Sequence, residues 1–548
     1  MQLVMERDRE TTTENELVLA HVYTGTIAVV VGAFFGLMQV LSRADAVKIP
    51  AWFDYYRMLS AHGTLMVLIF TTFFVTGLAT FSTYRSIPRP RSLGLGWFAW
   101  ALMFLGAVMM LVEIFTGKAT VLYTFYAPLK ASPWFYLGTT LLVIGTWVVA
   151  ADVFRDVLWW RKEHRGEMLP LPAFTAATTF VMWIVGTLGV VIEEIFFLLP
   201  WAFGAHQDIN VELTRLLFWY FGHPLVYFWI MGAYMIWYNL VPIYIKGNVY
   251  SDGLTRLSFI LLMLLSAPVG LHHEFTEPGI ANGWKALQTI TTYGVAIPSL
   301  LTAFSIFAGF ELWARKRGKT GFWQTTMALP WNNPAFAGAA YGMLLFILGG
   351  FTGLINGSYS MDTLIHNTIW VPAHFHVTVA GPVALTFIAS TYWLVPKLTG
   401  RGLWKPDLAL WQVRLWFVGM LIFSIALHIA GLMGEPRRTS VLDYGGSAIA
   451  AAWQPFNIAA AVGGSLLFIS AMLFACVAIG TLLHNRKDEL MDFDFAKPSE
   501  FSGPTPAWVQ SIFRWGLVSL ALAILFWAGP IVQLLHSAVY LAPGMKTW

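Results

Sequence analysis

Seven of the thirteen histidines fall into groups that could hold metal ions. His272 and His273 are adjacent, His374 and His376 are separated by one residue with His366 shortly before them, and His62 and His223 each interrupt an apolar run. Neutral imidazole is a ligand for copper, iron and zinc. Two residues along a helix turn a side chain by about 200° and raise it by roughly 3 Å. His374 and His376 therefore face opposite sides of one helix: undistorted, it cannot bring both to one compact ion, but each can hold a different flat cofactor. His272 and His273 are about 100° apart, follow Pro268 and Gly270 at a helix end, and converge on one metal if the backbone loosens there. His223 would then supply a third imidazole.

Tyr227 follows His223 by four residues, about 40° round and 6 Å along a helix, which makes the two side chains neighbours. Tyr234 and Tyr238 come seven and eleven residues after Tyr227, within roughly 20° of its azimuth, so their hydroxyls form a stripe about 16 Å long. Ser299, Thr302 and Ser305 repeat at spacings of three. Taken alone, the tyrosines are an aromatic packing face and the small hydroxyl residues are ordinary helix-contact positions. His21, His164, His206, His428, His484 and His536 lie singly near span ends or in loops and read as interface or packing residues.

The elements that position these residues are membrane helices. Of 548 residues, 57% are hydrophobic and 11% charged, with a mean hydropathy of +0.64, against roughly 45–50% and 25% in soluble domains. That excludes a soluble enzyme, a disordered protein and a nucleic-acid binder; a net charge of +4 decides nothing. A span needs about 20 mostly apolar residues, which predicts thirteen: approximately 17–41, 58–82, 94–116, 133–155, 173–200, 214–243, 254–273, 287–312, 335–356, 368–396, 411–434, 453–483 and 508–537. The sixth, tenth and twelfth are long enough to tilt or protrude. The first has no small-residue cleavage site behind it and is expected to stay as an anchor. The fold class is an all-α polytopic membrane protein, one integral domain over 1–548, with no repeat and no separate soluble domain.

Lys and Arg are concentrated at the N-terminus and in the loops after the even-numbered spans, which predicts a cytoplasmic N-terminus and a C-terminus outside. In that orientation spans two, six and ten enter from outside and span seven exits there. His62, His223, His272, His273, His374 and His376 then share one depth, in the outer part of the bilayer. Independent packing histidines would not share a level, and buried histidine in a membrane asks for a reason. A proton-coupled transporter could also gather polar residues, but its site is expected near the midplane at broken helices. The single Cys476 excludes an internal disulfide, a zinc cluster and any two-thiolate copper centre within this chain; packing suits it.

These residues carry a resemblance. H-P-L-V-Y at 223–227, G-L-H-H at 270–273, H-N-T-I-W-V-P-A-H-F-H at 366–376 and A-H-G at 61–63 together resemble the catalytic subunit of haem-copper terminal oxidases. The match runs through nearly the whole chain. T-V-L-Y-T-F-Y-A-P-L-K, S-A-P-V-G-L-H-H-E-F and E-P-R-R are similar in particular to the B-family, ba-type cytochrome c oxidases. The resemblance implies a twelve-helix catalytic core, about 17–483, with an additional C-terminal helix, about 508–537. It implies a low-spin b-type haem held by His62 and His376, a high-spin a-type or related haem held by His374, and one copper ion, copper B, held by His223, His272 and His273. Tyr227 would be covalently bonded to His223. Asp362, His366, Arg437 and Arg438 would lie by the haem propionates, and the arginines are otherwise unexplained on the basic-poor side.

The implied activity is reduction of dioxygen to water coupled to proton movement, with haem, copper and Tyr227 supplying electrons for O–O cleavage. Leu225 stands where the larger A-family has Glu, so a carboxylate-ended proton path is not expected there. Ser251, Tyr238, Tyr234, Thr302, Ser305 and Ser299 resemble the single proton path of the B-family. Glu193 and Glu194 remain open between an interfacial or propionate-side role and proton handling. With one thiol in the chain, a second subunit carrying a two-copper centre is expected, with cytochrome c as donor, room for a small single-span subunit, membrane lipid around the bundle and no nucleic acid. The location expected is a prokaryotic cytoplasmic membrane. A quinol-fed enzyme, a nitric oxide reductase and a proton-coupled transporter are the alternatives; Tyr227 favours oxygen chemistry, because nitric oxide reduction does not need that extra donor.

Overall fold

A segment crossing a bilayer must satisfy its own backbone polar groups, and a helix does so within one segment. Each apolar run is helical in the computed structural model, which describes residues 2–89, 91–485, 493 and 495–548, with side chains described from Thr13. Arg7, Arg9, Arg486 and Lys487, which contribute to the charge asymmetry, lie outside the residues whose side chains are described. Among the described residues, thirteen helices are long and apolar enough to cross a membrane: Thr13–Arg43, Ala51–Ser86, Gly94–Phe115, Pro133–Glu163, Leu171–Ala202, Val211–Tyr244, Asp252–Glu274, Asn282–Arg315, Pro334–Asn356, Trp370–Thr399, Pro406–Leu432, Ala448–Leu483 and Ile512–Leu535. They are called spans one to thirteen below.

Several run past the apolar limits read from sequence. Span four continues through Arg161 and Lys162 to Glu163, because long charged side chains can extend their stems along apolar surface while their heads stay in water. Span eight starts earlier than expected, at Asn282, and is two helices, Asn282–Gly294 and Ala296–Arg315. Pro298 lies in the first turn of the second, where its missing N–H is tolerated.

Three spans contain π-helical stretches: Thr64–Phe70 in span two, Glu194–Leu198 in span five and His376–Ala384 in span ten. Such stretches occur frequently at functional sites. The regular helix assumed for His374 and His376 is thus interrupted at the second of them.

Span seven is α-helical only to Ser266 and resumes as a 3-10 turn over Leu271–Glu274. At Gly270 a Cβ would stand 2.5 Å from the Trp219 carbonyl oxygen. The absence of a side chain there lets the turn lie against span six, one helical turn before His223.

Short pairings close both ends of the bundle. After span thirteen, Leu541–Pro543 pairs antiparallel with Asp208–Asn210, and Met545–Lys546 pairs parallel with Leu129–Lys130. At the opposite end, Val249 bridges Pro498, and Thr505 donates to Asp252 Oδ2 at 2.7 Å.

Candidate metal and cofactor centre

One cavity of about 630 Å³ is lined by residues of spans one, two, six and eight to twelve and of the span-seven turn, and its lining includes all six histidines placed at one depth by the sequence. His62 and His376 face each other across it with ring planes 7° apart and centroids 6.1 Å apart. Two metal–nitrogen bonds of about 2.0 Å each, with the ring radius on either side, add to roughly that separation. His62 Nδ1 is 2.8 Å from the Gly32 carbonyl oxygen and His376 Nδ1 is 2.7 Å from that of Pro372. A carbonyl can only accept, so Nδ1 carries the proton in each ring and Nε2 is left with its lone pair for a metal. Gly36 makes room: a Cβ there would lie 2.8 Å from His62 Cε1.

His374 is oriented differently. Its Nδ1 lies 2.9 Å from Thr352 Oγ1 and 3.1 Å from Thr378 Oγ1. Those hydroxyls donate to the carbonyls of Gly349 and His374 respectively, so both accept from Nδ1–H. The ring lies against Gly353 of span nine, where a Cβ would be 3.1 Å from Cε1. His374 and His376 therefore serve different flanks, the first towards span nine and the second towards span two.

His223, His272 and His273 offer ligand atoms within 4.8 Å of one another. His223 Nδ1 and His273 Nε2 are 3.2 Å apart, roughly the separation of two nitrogens bound at about 2.0 Å to one ion. His272 Nδ1 lies 3.0 Å from Thr292 Oγ1, whose own proton goes to the Gln288 carbonyl. Trp219 stacks on His273 with centroids 3.7 Å apart and planes 10° apart. The Tyr227 ring meets His223 edge-on at 4.7 Å, and His223 Nε2 is buried without a hydrogen-bond partner among the described residues.

Arg437, Arg438, Asp362 and His366 line the same cavity. His366 Nδ1 and Asp362 Oδ2 are 2.7 Å apart, and burial raises the Asp362 carboxyl above its usual range. Burial, and next the charge of Arg438, push the Arg437 guanidinium down to about 10. Two adjacent arginines in a partly dehydrated wall call for an anion, and haem propionates fit that requirement.

Along the tyrosine stripe, Tyr234 lies by Ser299 and Thr302, and Tyr238 by Ser258, Thr302 and Ser305. The Thr302 hydroxyl donates to the Pro298 carbonyl at 2.9 Å, and the Tyr234 and Tyr238 hydroxyls are buried without a hydrogen-bond partner among the described residues. A second cavity of about 20 Å³ touches Tyr238 and Ser305 and reaches Asn248 and Tyr250. Ser251 is used differently. Its hydroxyl caps span seven, accepting from Leu254 N at 3.3 Å, and donates to the Ser502 carbonyl. Ser258, two turns further into span seven, is the serine beside Tyr238. Glu193 and Glu194 are both buried, line neither cavity and have no hydrogen-bond partner among the described residues.

Gly36, Gly353, Thr292, Thr352, Trp219 and Ser258 are further members of the site that the sequence motifs do not mark. Thr378 alone had a local signal, four residues after His374 on the same helix face.

Residues 16–466 match the family described as cytochrome C and quinol oxidase polypeptide I. The chain is 37% identical over 553 aligned residues to cytochrome c oxidase subunit 1 of Thermus thermophilus, covering 98% of this chain and 97% of that one. It is 26% identical over 466 residues to cytochrome c oxidase subunit 1 of Thermostichus vulcanus, covering 80% and 79%. A chain of a heme-copper terminal oxidase dimer solved by cryo-EM superposes with a TM-score of 0.92 at 34% identity, covering 97% of this chain and 95% of that chain.

Proposed function

The chain belongs to the family of cytochrome C and quinol oxidase polypeptide I, and from that premise we propose how its residues divide the work. It is the catalytic subunit of a haem-copper respiratory terminal oxidase, a multi-pass membrane enzyme with two haems and one copper ion. The observation that carries the assignment of parts is the parallel pair His62 and His376 sharing one cavity with the three-imidazole cluster. His62 and His376 hold the low-spin haem, His374 the high-spin haem, and His223, His272 and His273 copper B. Arg437, Arg438, Asp362 and His366 receive the propionates. When bound, the haems and copper supply the electron transfer and dioxygen reduction.

The chain's own residues orient, exclude and deliver. Carbonyls and threonine hydroxyls fix the imidazole tautomers, so ring nitrogens need not reorganise during turnover. Tyr227, beside the unpartnered Nε2 of His223, is placed to bond to that nitrogen and to give an electron and a proton. Protons reach it from Tyr238 through Thr302 and Tyr234, since hydroxyls both donate and accept. The cavity beside Tyr238 has room for one water, and Ser258, Ser305 and Ser299 flank the route, with Ser251 capping span seven at its start. Leu225 in place of an acidic residue, together with this single stripe, supports a B-family, ba-type enzyme.

Other oxidase subunits, such as subunit II, accompany the chain. One thiol cannot build a two-copper electron-accepting centre, so we place that centre on subunit II, fed by cytochrome c, with room for a small single-span subunit. We place the chain in a prokaryotic cytoplasmic membrane; the charge asymmetry supports an N-terminus inside and a C-terminus outside, which opens the proton stripe towards the cytoplasmic side. Reduced-minus-oxidised haem spectra with metal analysis and oxygen uptake on reduced cytochrome c test the reading. Uptake with a quinol but not cytochrome c would move the donor assignment, and nitric oxide turnover without oxygen turnover would overturn the oxidase.

A further inference from the structure

Three carboxylates gather beside the copper ligands but outside the large cavity. Glu212 stands in the first turn of span six, Glu274 ends the 3-10 turn carrying His272 and His273, and Glu277 follows in the loop. One carboxylate oxygen from each lies within 4.8 Å of the others.

The neighbouring cations Arg215, Lys285 and Arg437 act on this cluster electrostatically but leave several of its oxygens without a hydrogen bond. Arg215 meets Glu277 Oε2 at 2.6 Å and stands 3.8 Å from Glu212 Oε1. Lys285 Nζ donates to the backbone oxygens of Phe275 and Glu277, at 2.7 and 2.8 Å, rather than to a carboxylate. Glu274 is 0% exposed, and neither of its oxygens has a hydrogen-bond partner among the described residues. The buried Glu212 Oε2 is in the same position. A buried carboxylate without partners is strongly unfavourable, so Glu274 asks for a ligand independently of the clustering.

We infer that Glu212, Glu274 and Glu277 bind a hard divalent cation. Arg215 pairs directly with Glu277, while both Glu274 oxygens and Glu212 Oε2 have no hydrogen-bond partner among the described residues and are free to bind an ion. The donors are all oxygens, with no thiolate or imidazole among them, which is the set calcium, magnesium and manganese take. Glu277 is one-fifth exposed, so the ion has a way in from the surface at that end of the bundle. Bound there, it ties the start of span six to the end of span seven immediately behind His273. It thereby braces the turn that presents two of the three clustered imidazoles.

The test uses the purified oxidase complex. It is stripped with EDTA under conditions where haem and copper content stay unchanged, then titrated with Mn²⁺ while the EPR signal of free Mn²⁺ is followed. The expected result is one Mn²⁺ bound per complex and displaced by Ca²⁺. Affinity should be at least tenfold weaker in Glu274→Gln and Glu212→Gln, and unchanged in Glu193→Gln, a buried carboxylate elsewhere. If Glu274→Gln fails to assemble, Glu212→Gln decides, since that residue lies on a different span from the two adjacent histidines. A stripped complex that takes up no Mn²⁺, or one whose Mn²⁺ affinity is the same in Glu212→Gln as in the unaltered complex, overturns the inference.

Discussion

His62 on span two and His376 on span ten stand with rings 7° from parallel and centroids 6.1 Å apart, each with its Nδ1 proton held by a backbone carbonyl. On the proposed assignment the two rings hold one iron between them, so removing either should have the same consequence. His62→Ala and His376→Ala should each abolish the low-spin haem signal and spare much of the high-spin site. His374→Ala, on the span-nine flank, should do the reverse. Reduced-minus-oxidised spectra of the three variants check this, and loss of one common component in all three would refute the division.

Metal content follows from ligand counting. The proposal assigns one copper to the three clustered imidazoles, and Cys476 is the only cysteine. The subunit purified without partners should hold two haems and one copper, with no two-copper EPR signal. Such a signal in the isolated chain would show that copper is held by residues other than those assigned.

Gly36 and Gly353 separate packing from ligation. An alanine Cβ at 36 would lie 2.8 Å from His62 Cε1, and one at 353 would lie 3.1 Å from His374 Cε1. Overpacking a filled interior costs about 1–3 kcal/mol, and the tighter contact should be at the upper end. Gly36→Ala should therefore lower low-spin haem occupancy with the high-spin haem retained, while Gly353→Ala should perturb the high-spin haem more mildly. Haem quantification of both variants, with copper as the internal standard, distinguishes this from general misfolding.

Much of this site was legible because imidazole is conspicuous in an apolar chain. Thirteen spans followed from hydropathy, and the helical rotation between His374 and His376 was enough to set them on two flanks. The parts that were not legible are backbone events and contacts across spans. The π-helical stretch beginning at His376 and the 3-10 turn at Leu271–Glu274 leave no periodic signature in their own residues. Thr352 and Gly353 reach His374 from another span, and a hydroxyl or glycine there looks like any other in a membrane helix. Ser251 and Ser258 show the same limit: both are serines near the start of span seven, and only the fold makes one a cap and places the other beside Tyr238.

Arg437 and Arg438 should tune the haems electrostatically. A buried cation beside a haem favours the reduced, more negative state, so Arg437→Gln should lower midpoint potentials. A unit charge several ångströms away in a partly screened wall shifts them on the order of tens of millivolts. Spectroelectrochemical titration measures this directly, and unchanged potentials for both haems would place the arginine away from the propionates.

Proton delivery needs the sharpest test, because the tyrosine stripe is also an aromatic packing face. Thr302 is central to it: the residue is buried, lies by both Tyr234 and Tyr238, and has its own proton committed to Pro298. Thr302→Val keeps the shape and removes the acceptor. Removing an acceptor worth about 1 kcal/mol to the proposed relay should slow turnover roughly several-fold, with haem spectra and copper content intact. Tyr227→Phe removes the proposed donor as well as the end of the path and should slow turnover by about 100-fold or more. Stopped-flow oxidation of the reduced enzyme by dioxygen, followed with a pH dye, separates proton uptake from electron transfer in both variants. Normal oxygen consumption and normal proton uptake in both would reduce the stripe to packing and bring nitric oxide chemistry back into contention.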